Sequence, residues 1–171
     1  MIRNPDKPIG GVRRGFTMAE AVMASAIIAF LVVAALNAAG ASGLAQYHTG
    51  ERATARFLAD GLMAEILSLA YEEPDGCMSM GLDADELSTN KINYDDVDDY
   101  KNWTESPPQD RSGTALNELA GWTRTVNVVW INPNNANDVL SSETGAKRIQ
   151  VTVKHNGIVV ATRVAIRTKA P

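Results

Sequence analysis

Residues 13–36 read RRGFTMAEAVMASAIIAFLVVAAL. The 21 residues from Phe16 to Leu36 hold no base and one acid, Glu20, with Thr17 and Ser25 the other polar positions. Coiled at 1.5 Å per residue, that run spans roughly 30 Å, the thickness of a bilayer's hydrocarbon layer. Residues 1–15 carry Arg3, Lys7, Arg13 and Arg14 against Asp6. A basic flank of this kind stays on the cytoplasmic side. A single membrane-crossing helix is therefore expected, since a lone segment in lipid can satisfy its backbone only as a helix. The competing reading, a buried core helix, accounts for neither the length nor the basic flank. Glu20 does not suit a plain anchor. An ionised carboxylate in the apolar zone costs roughly 2.5–3.5 kcal/mol, so it needs either headgroup solvation or a partner.

Beyond Leu36 the helical pattern resumes rather than ending in turn residues. Leu44, Tyr47, Glu51, Ala55, Leu58, Leu62, Ile66 and Leu69 recur at steps of three and four, the period of an amphipathic helix. Gly40, Gly43 and Gly50 are expected bending points, each weaker than alanine by up to roughly 1 kcal/mol. A helix from Phe16 to about Ala70 would be roughly 80 Å long. Pro74 and the turn-forming Asp75-Gly76 stop it.

Charge is zoned. Between Glu72 and Asp99 ten acids stand against Lys91, whereas from Gly121 onward seven bases stand against two acids. Residues 76–118 show no sustained period and read as an ordered acidic loop pinned by aromatics such as Tyr94, Tyr100 and Trp103. Asp95, Asp96, Asp98 and Asp99 lie within five positions. They read either as a solvated acidic face or as oxygen ligands for calcium, without the spacing of an EF-hand loop.

The C-terminal part alternates with a period of two. Trp122 to Ile131 and Arg148 to Lys154 read as strands, and Asn132-Pro133-Asn134-Asn135 ends the first. Asn156-Gly157 turns the second into Ile158 to Arg167, because Asn-Gly between strands signals a hairpin. A two-residue turn there sets Val153 opposite Val160, Val151 opposite Thr162 and Ile149 opposite Val164. The apolar face so formed needs a cover, which the helix stripe supplies.

Composition excludes several classes. The 171 residues are 45% hydrophobic and 21% charged, so wholesale disorder does not apply. A net charge of −4 argues against a general nucleic-acid binder. One cysteine, Cys77, rules out an internal disulfide, and with only His48 and His155 beside it an ordinary Cys/His zinc site lacks ligands. Both histidines read as surface or capping residues, and no nucleophile, base and orienting group converge in the sequence. No enzyme and no organic cofactor are expected.

The string Arg13-Arg14-Gly15-Phe16-Thr17-Met18-Ala19-Glu20, followed by the Ala/Val/Ile/Leu run, resembles the class III leader of type IV pilins and type II secretion pseudopilins. The pattern covers about thirty residues, departing from the commonest form at Met18 and Ala19, where bulkier aliphatics are frequent. The resemblance implies cleavage by prepilin peptidase between Gly15 and Phe16 and N-methylation of Phe16. It also implies pairing of Glu20 with the N-terminal amine of a neighbouring subunit, which sets assembly register. A long N-terminal helix, a variable loop and an antiparallel sheet make up the pilin fold, an α+β architecture. Within the family the C-terminal hairpin and Trp-Thr-Arg strand look most like the minor pseudopilin I or PilV-type branch. Calcium occurs in some relatives.

The resemblance thus divides the chain into a cleaved leader (1–15), a transmembrane and filament-core helix (16–44) and a periplasmic globular domain (45–171). That domain comprises a helix (45–70), an acidic loop (71–118) and a sheet (119–168). The expected function is a minor pilin or pseudopilin held in the inner membrane, N-terminus cytoplasmic, then assembled into a pilus or pseudopilus. Its partners would be prepilin peptidase, other pilins and the inner-membrane assembly platform, with no nucleic acid. Two alternatives use the same residues. One is a membrane-anchored binding module acting through the acidic loop. The other is a soluble protein exported by a twin-arginine signal at Arg13-Arg14-Gly15-Phe16 and cut at Ala39-Gly40-Ala41.

Overall fold

The apolar run opens one helix, α1 (Met18–Leu67), in the computed structural model, which describes residues 15–73, 80–83, 86 and 89–169. Gly40, Gly43 and Gly50 are ordinary helical positions within it, so the expected bending points do not interrupt it. Its end is tightened by i→i−3 bonds, from Ser68 N–H to the Glu65 carbonyl at 3.1 Å and from Leu69 N–H to the Ile66 carbonyl at 3.2 Å. The chain divides into two units, Met1–Gln46 and Tyr47–Pro171.

In the first unit every described residue is exposed, including Val22, Ile27, Phe30, Leu31, Val33 and Leu36. Alanine, leucine and isoleucine without water-facing polar neighbours would not remain so in water, since each buried aliphatic side chain is worth about 1.5–3 kcal/mol. This segment is long and apolar enough to cross a membrane.

The second unit contains the remainder of α1 and five antiparallel strands: β1 (Thr104–Glu105), β2 (Trp122–Asn132), β3 (Asn135–Leu140), β4 (Ala146–His155) and β5 (Ile158–Thr168). The sheet order is β1-β2-β4-β5, with β3 also paired to β2. Ala55, Leu58, Ala59, Leu62, Met63 and Ile66 are buried along one side of α1. They form one core with Trp122, Val126 and Val128 of β2 and Ile149, Val151 and Val153 of β4. The architecture is α+β, and the predicted stripe covers the predicted sheet. It does so only from Ala55 onward, since Leu44 and Tyr47 are exposed.

The hairpin register departs from expectation. Asn156 (φ 49°) and Gly157 (φ 82°) form the left-handed pair that a two-residue hairpin turn requires. His155 then faces Ile158, and Lys154 faces Val159, but Val153 faces Ala161 rather than Val160. The extra residue Val160 is a bulge, and a one-residue slip sends every later side chain to the other face. Val151 therefore opposes Arg163 and Ile149 opposes Ala165, while Val164 and Ile166 stand out in solvent at 56% and 51% exposure. The slip lets small Ala161 and Ala165 pack against the core and carries Arg163 to Asp60 on α1. Residues 135–140, which carry no strand alternation of their own, form β3 by pairing with the end of β2 through Trp130–Leu140 and Ile131–Val139.

Candidate functional site

Gly15, Phe16 and Thr17 precede α1 in non-helical backbone, and Phe16 is 85% exposed. A Cβ built on Gly15 would meet nothing within 4 Å, so the Gly15–Phe16 bond is open to approach. Thr17 is the N-cap. Its Oγ1 accepts the Glu20 N–H at 3.2 Å, and the Glu20 carboxylate reaches back to the Thr17 N–H at 3.5 Å. This is a capping box, which satisfies two orphan helix donors and places the acid at the positive end of the helix dipole. The spacing Thr-Met-Ala-Glu signals it in the sequence, and it adds a third role for Glu20 beside headgroup solvation and pairing. Arg13 and Arg14 lie outside the described residues, as does Cys77.

Of the four aspartates, Asp95 is exposed, but the other three do not form a solvated face. Asp96, Asp98 and Asp99 are only 2–4% exposed, and Tyr94, Val97, Tyr100 and Trp103 beside them belong to the core. The aromatics draw the loop in: Tyr94 packs edge-on against both Tyr100 and Trp103, at 5.0 and 5.5 Å between ring centroids. Backbone bonds tie it to the helix end, from Ala70 N–H to the Asp95 carbonyl and from Val97 N–H to the Ala70 carbonyl.

Burial of acids at this depth requires partners, and the basic sheet supplies them. Asp98 pairs with Lys147 of β4, whose Nζ also donates to the Tyr71 carbonyl and lies 4.4 Å above the Tyr71 ring. Arg124 of β2 pairs with Glu105 and donates to the Leu58 and Gln109 carbonyls. Lys91 sits 3.0 Å from Glu65 and 3.8 Å from Glu105. The opposite charge zones of the sequence therefore meet in the interior at Asp98 and Lys147.

Asp96 and Asp99 accept backbone bonds instead. Asp96 Oδ1 takes the N–H groups of Asp98 and Asp99, and Asp99 Oδ2 takes those of Asp95 and Asp96. Burial, followed by the neighbouring Asp98 and Asp99 charges, pushes Asp96 up to about 8. Burial likewise pushes Asp99 up to about 7 and raises Glu86. Among the described residues two groups of carboxylates converge to within 4.8 Å, Glu73 with Asp96 and Asp99, and Glu86 with Asp95 and Asp99. An all-oxygen set suits a hard cation such as calcium, whose charge would offset the repulsion that raises Asp96 and Asp99. Of the four aspartates named from the sequence, Asp95, Asp96 and Asp99 fall in these groups, and Asp98 is held apart by Lys147.

The two histidines lie far apart in the sequence, yet both contact Glu51: His155 Nδ1 donates to Oε1 at 2.6 Å, and His48 Nδ1 is 3.5 Å from Oε2. The histidine hydrogen bond holds the Glu51 carboxyl below its ordinary range. No sequence spacing announces this cluster, because the hairpin is what returns His155 to the helix.

The chain matches no protein-family model, no curated protein and no solved structure.

Proposed function

We propose that this chain is a minor pilin or pseudopilin, a structural subunit of a pilus or type II secretion pseudopilus rather than an enzyme. The observation that carries the reading is the conjunction at the N-terminus. An exposed Gly15–Phe16 bond directly precedes a helix whose apolar side chains find no cover in the unit they belong to, with Glu20 its lone acid as far as Leu36. Prepilin peptidase would cut after Gly15 and methylate Phe16. The new amine would then stand one helical turn from Glu20, and the analogous amine of a neighbouring subunit would neutralise that carboxylate in a low-dielectric filament core. Residues 16–44 would form that core after leaving the inner membrane, and the 45–171 domain would form the filament surface. The chain would be held with its N-terminus in the cytoplasm and that domain in the periplasm until the assembly platform extracts it.

Mass spectrometry of the mature N-terminus tests the reading. The expected result is a chain beginning at Phe16 with one additional methyl group. A chain retaining residues 1–15, or one beginning near Ser42 as twin-arginine export would produce, overturns it.

A second reading concerns the loop. The convergent carboxylates Glu73, Asp96 and Asp99 favour a calcium-stabilised surface that could bind a partner from the anchored subunit. Calorimetry with calcium, comparing the native chain with Asp99→Asn, tests it, and equal heats from the two chains would exclude it.

A further inference from the structure

The tip of the β4–β5 hairpin carries aliphatic side chains that the fold leaves uncovered. Ile158 and Val159, directly after the Asn156-Gly157 turn, are 72% and 55% exposed. The tip is tied down. His155 Nδ1 meets Glu51 Oε1 at 2.6 Å, its ring stacks on Trp122 at 4.3 Å, and Asn156 donates its backbone N–H to the Gly121 carbonyl at 2.8 Å. Ile158 and Val159 are thereby held beside the first turns of α1 in the second unit, where they line a cleft of about 300 Å³ with His48 and Arg52. The charge here is basic. Arg52 is exposed and Lys154 stands cross-strand from Val159. Among the described residues neither enters an ion pair. The neighbouring acid, Glu51, is already taken up by the two histidines.

What covers this surface follows from the chain that leads into it. From Ala21 to Gly50 there is no Asp, Glu, Lys or Arg. Those thirty residues, coiled as a helix, measure roughly 45 Å, the thickness of a bilayer with both headgroup layers. Glu51 and Arg52, the first charges after the run, therefore fall at headgroup level. Tyr47, 60% exposed, precedes them by about one turn, as interfacial aromatics do. We infer that the hairpin tip docks on the surface of an anionic bilayer, with Ile158 and Val159 at the acyl boundary and Arg52 and Lys154 on lipid phosphates.

A second protein could also cover two aliphatics, but the tether selects lipid. The surface is joined at Tyr47 to a helix long and apolar enough to cross a membrane, so an anchored chain always has a bilayer within reach. Docking holds the globular domain in one pose on the membrane, a pose that extraction into a filament must release. The inference rests on the membrane-crossing part of the filament reading and is independent of cleavage at Phe16.

The test places the full chain, one copy per nanodisc, in discs of phosphatidylcholine alone or mixed with phosphatidylglycerol. An environment-sensitive fluorophore is attached at Ile158→Cys in a Cys77→Ser background. Asn134→Cys, in the turn at the opposite end of β2 from Trp122, carries the control probe. In the anionic discs the probe at 158 should shift to the blue and be quenched by lipids spin-labelled near the headgroup, while the probe at 134 reports water. Each base near an anionic surface favours the docked state by about fivefold, so Arg52→Gln with Lys154→Gln should reduce docking by about 25-fold. Neither side chain belongs to the core, so the double variant keeps its fold, which circular dichroism checks. The docking is overturned by a probe at 158 that reports water in anionic discs, or by equal signals in neutral and anionic discs. It is equally overturned by a shift that arises only when two copies share a disc, which would make the surface a contact between copies. A chain that fails to enter discs at all sinks the membrane reading as well, whereas one that enters with position 158 in water sinks the docking alone.

Discussion

Thr17 and Glu20 cap the same helix from both directions, the hydroxyl accepting from the Glu20 N–H and the carboxylate from the Thr17 N–H. In the single chain, therefore, the one acid of the apolar segment already has local work at the helix N-terminus. In a filament, the proposed register contact would have to draw the same carboxylate away to a neighbour's amine.

The two roles of Glu20 separate by substitution. Glutamine serves in a capping box as glutamate does, but carries no charge for an amine. Glu20→Gln should leave membrane insertion intact and impair incorporation into filaments as severely as Glu20→Ala. Filament yield by shear and immunoblot measures this. Normal incorporation of the glutamine variant would assign Glu20 to capping alone.

Leu62 is fully buried between α1 and the sheet, whereas Phe57, five residues earlier on the helix, is 77% exposed. Leu62→Ala should cost about 2–5 kcal/mol, lowering Tm by roughly 10 °C or more. Phe57→Ala should stay within about 0.5 kcal/mol. Thermal circular dichroism of the two variants checks both, and the reverse ranking would mean that the helix packs by another face.

Lys147 is the buried cation that Asp98 depends on. Lys147→Met alone leaves a carboxylate stranded in the core and should cost about 3–5 kcal/mol. Adding Asp98→Asn should recover much of that loss, giving a coupling energy well above the roughly 1 kcal/mol of a surface pair. Denaturant melts of the two single variants and the double variant provide the cycle.

Stability should fall as pH rises from mildly acidic toward about 8. Asp96 and Asp99, raised by burial to about 8 and about 7, keep protons that the unfolded chain releases near pH 4, so the native state loses ground as pH rises through that window. Glu51, Asp60, Asp110 and Glu143 are lowered, and what they contribute is lost as pH falls below about 4. Tm should therefore be highest at about pH 4–5, level off above about pH 8, and decline between about pH 5 and pH 8. Asp96→Asn should flatten the decline. A Tm that is level or rising over that range would contradict it.

The sequence by itself determined what depends on neighbouring residues. The apolar length of Phe16–Leu36, the three-and-four spacing from Ala55 to Leu69, and the Asn156-Gly157 turn each carry their own local physics. Helix, strands and hairpin appeared where those patterns lie. Tertiary structure decided whatever needed a distant partner. The Val160 bulge turned Val164 and Ile166 outward because the face under α1 takes Ala161 and Ala165 and brings Arg163 to Asp60. Asp96 to Asp99 went inside because Lys147, 49 residues beyond Asp98, was there to meet one of them. His48 and His155 converged on Glu51 only once β4 ran back along the helix. Such contacts leave no periodicity in the chain, since their energies come from charge and desolvation between segments brought together by folding.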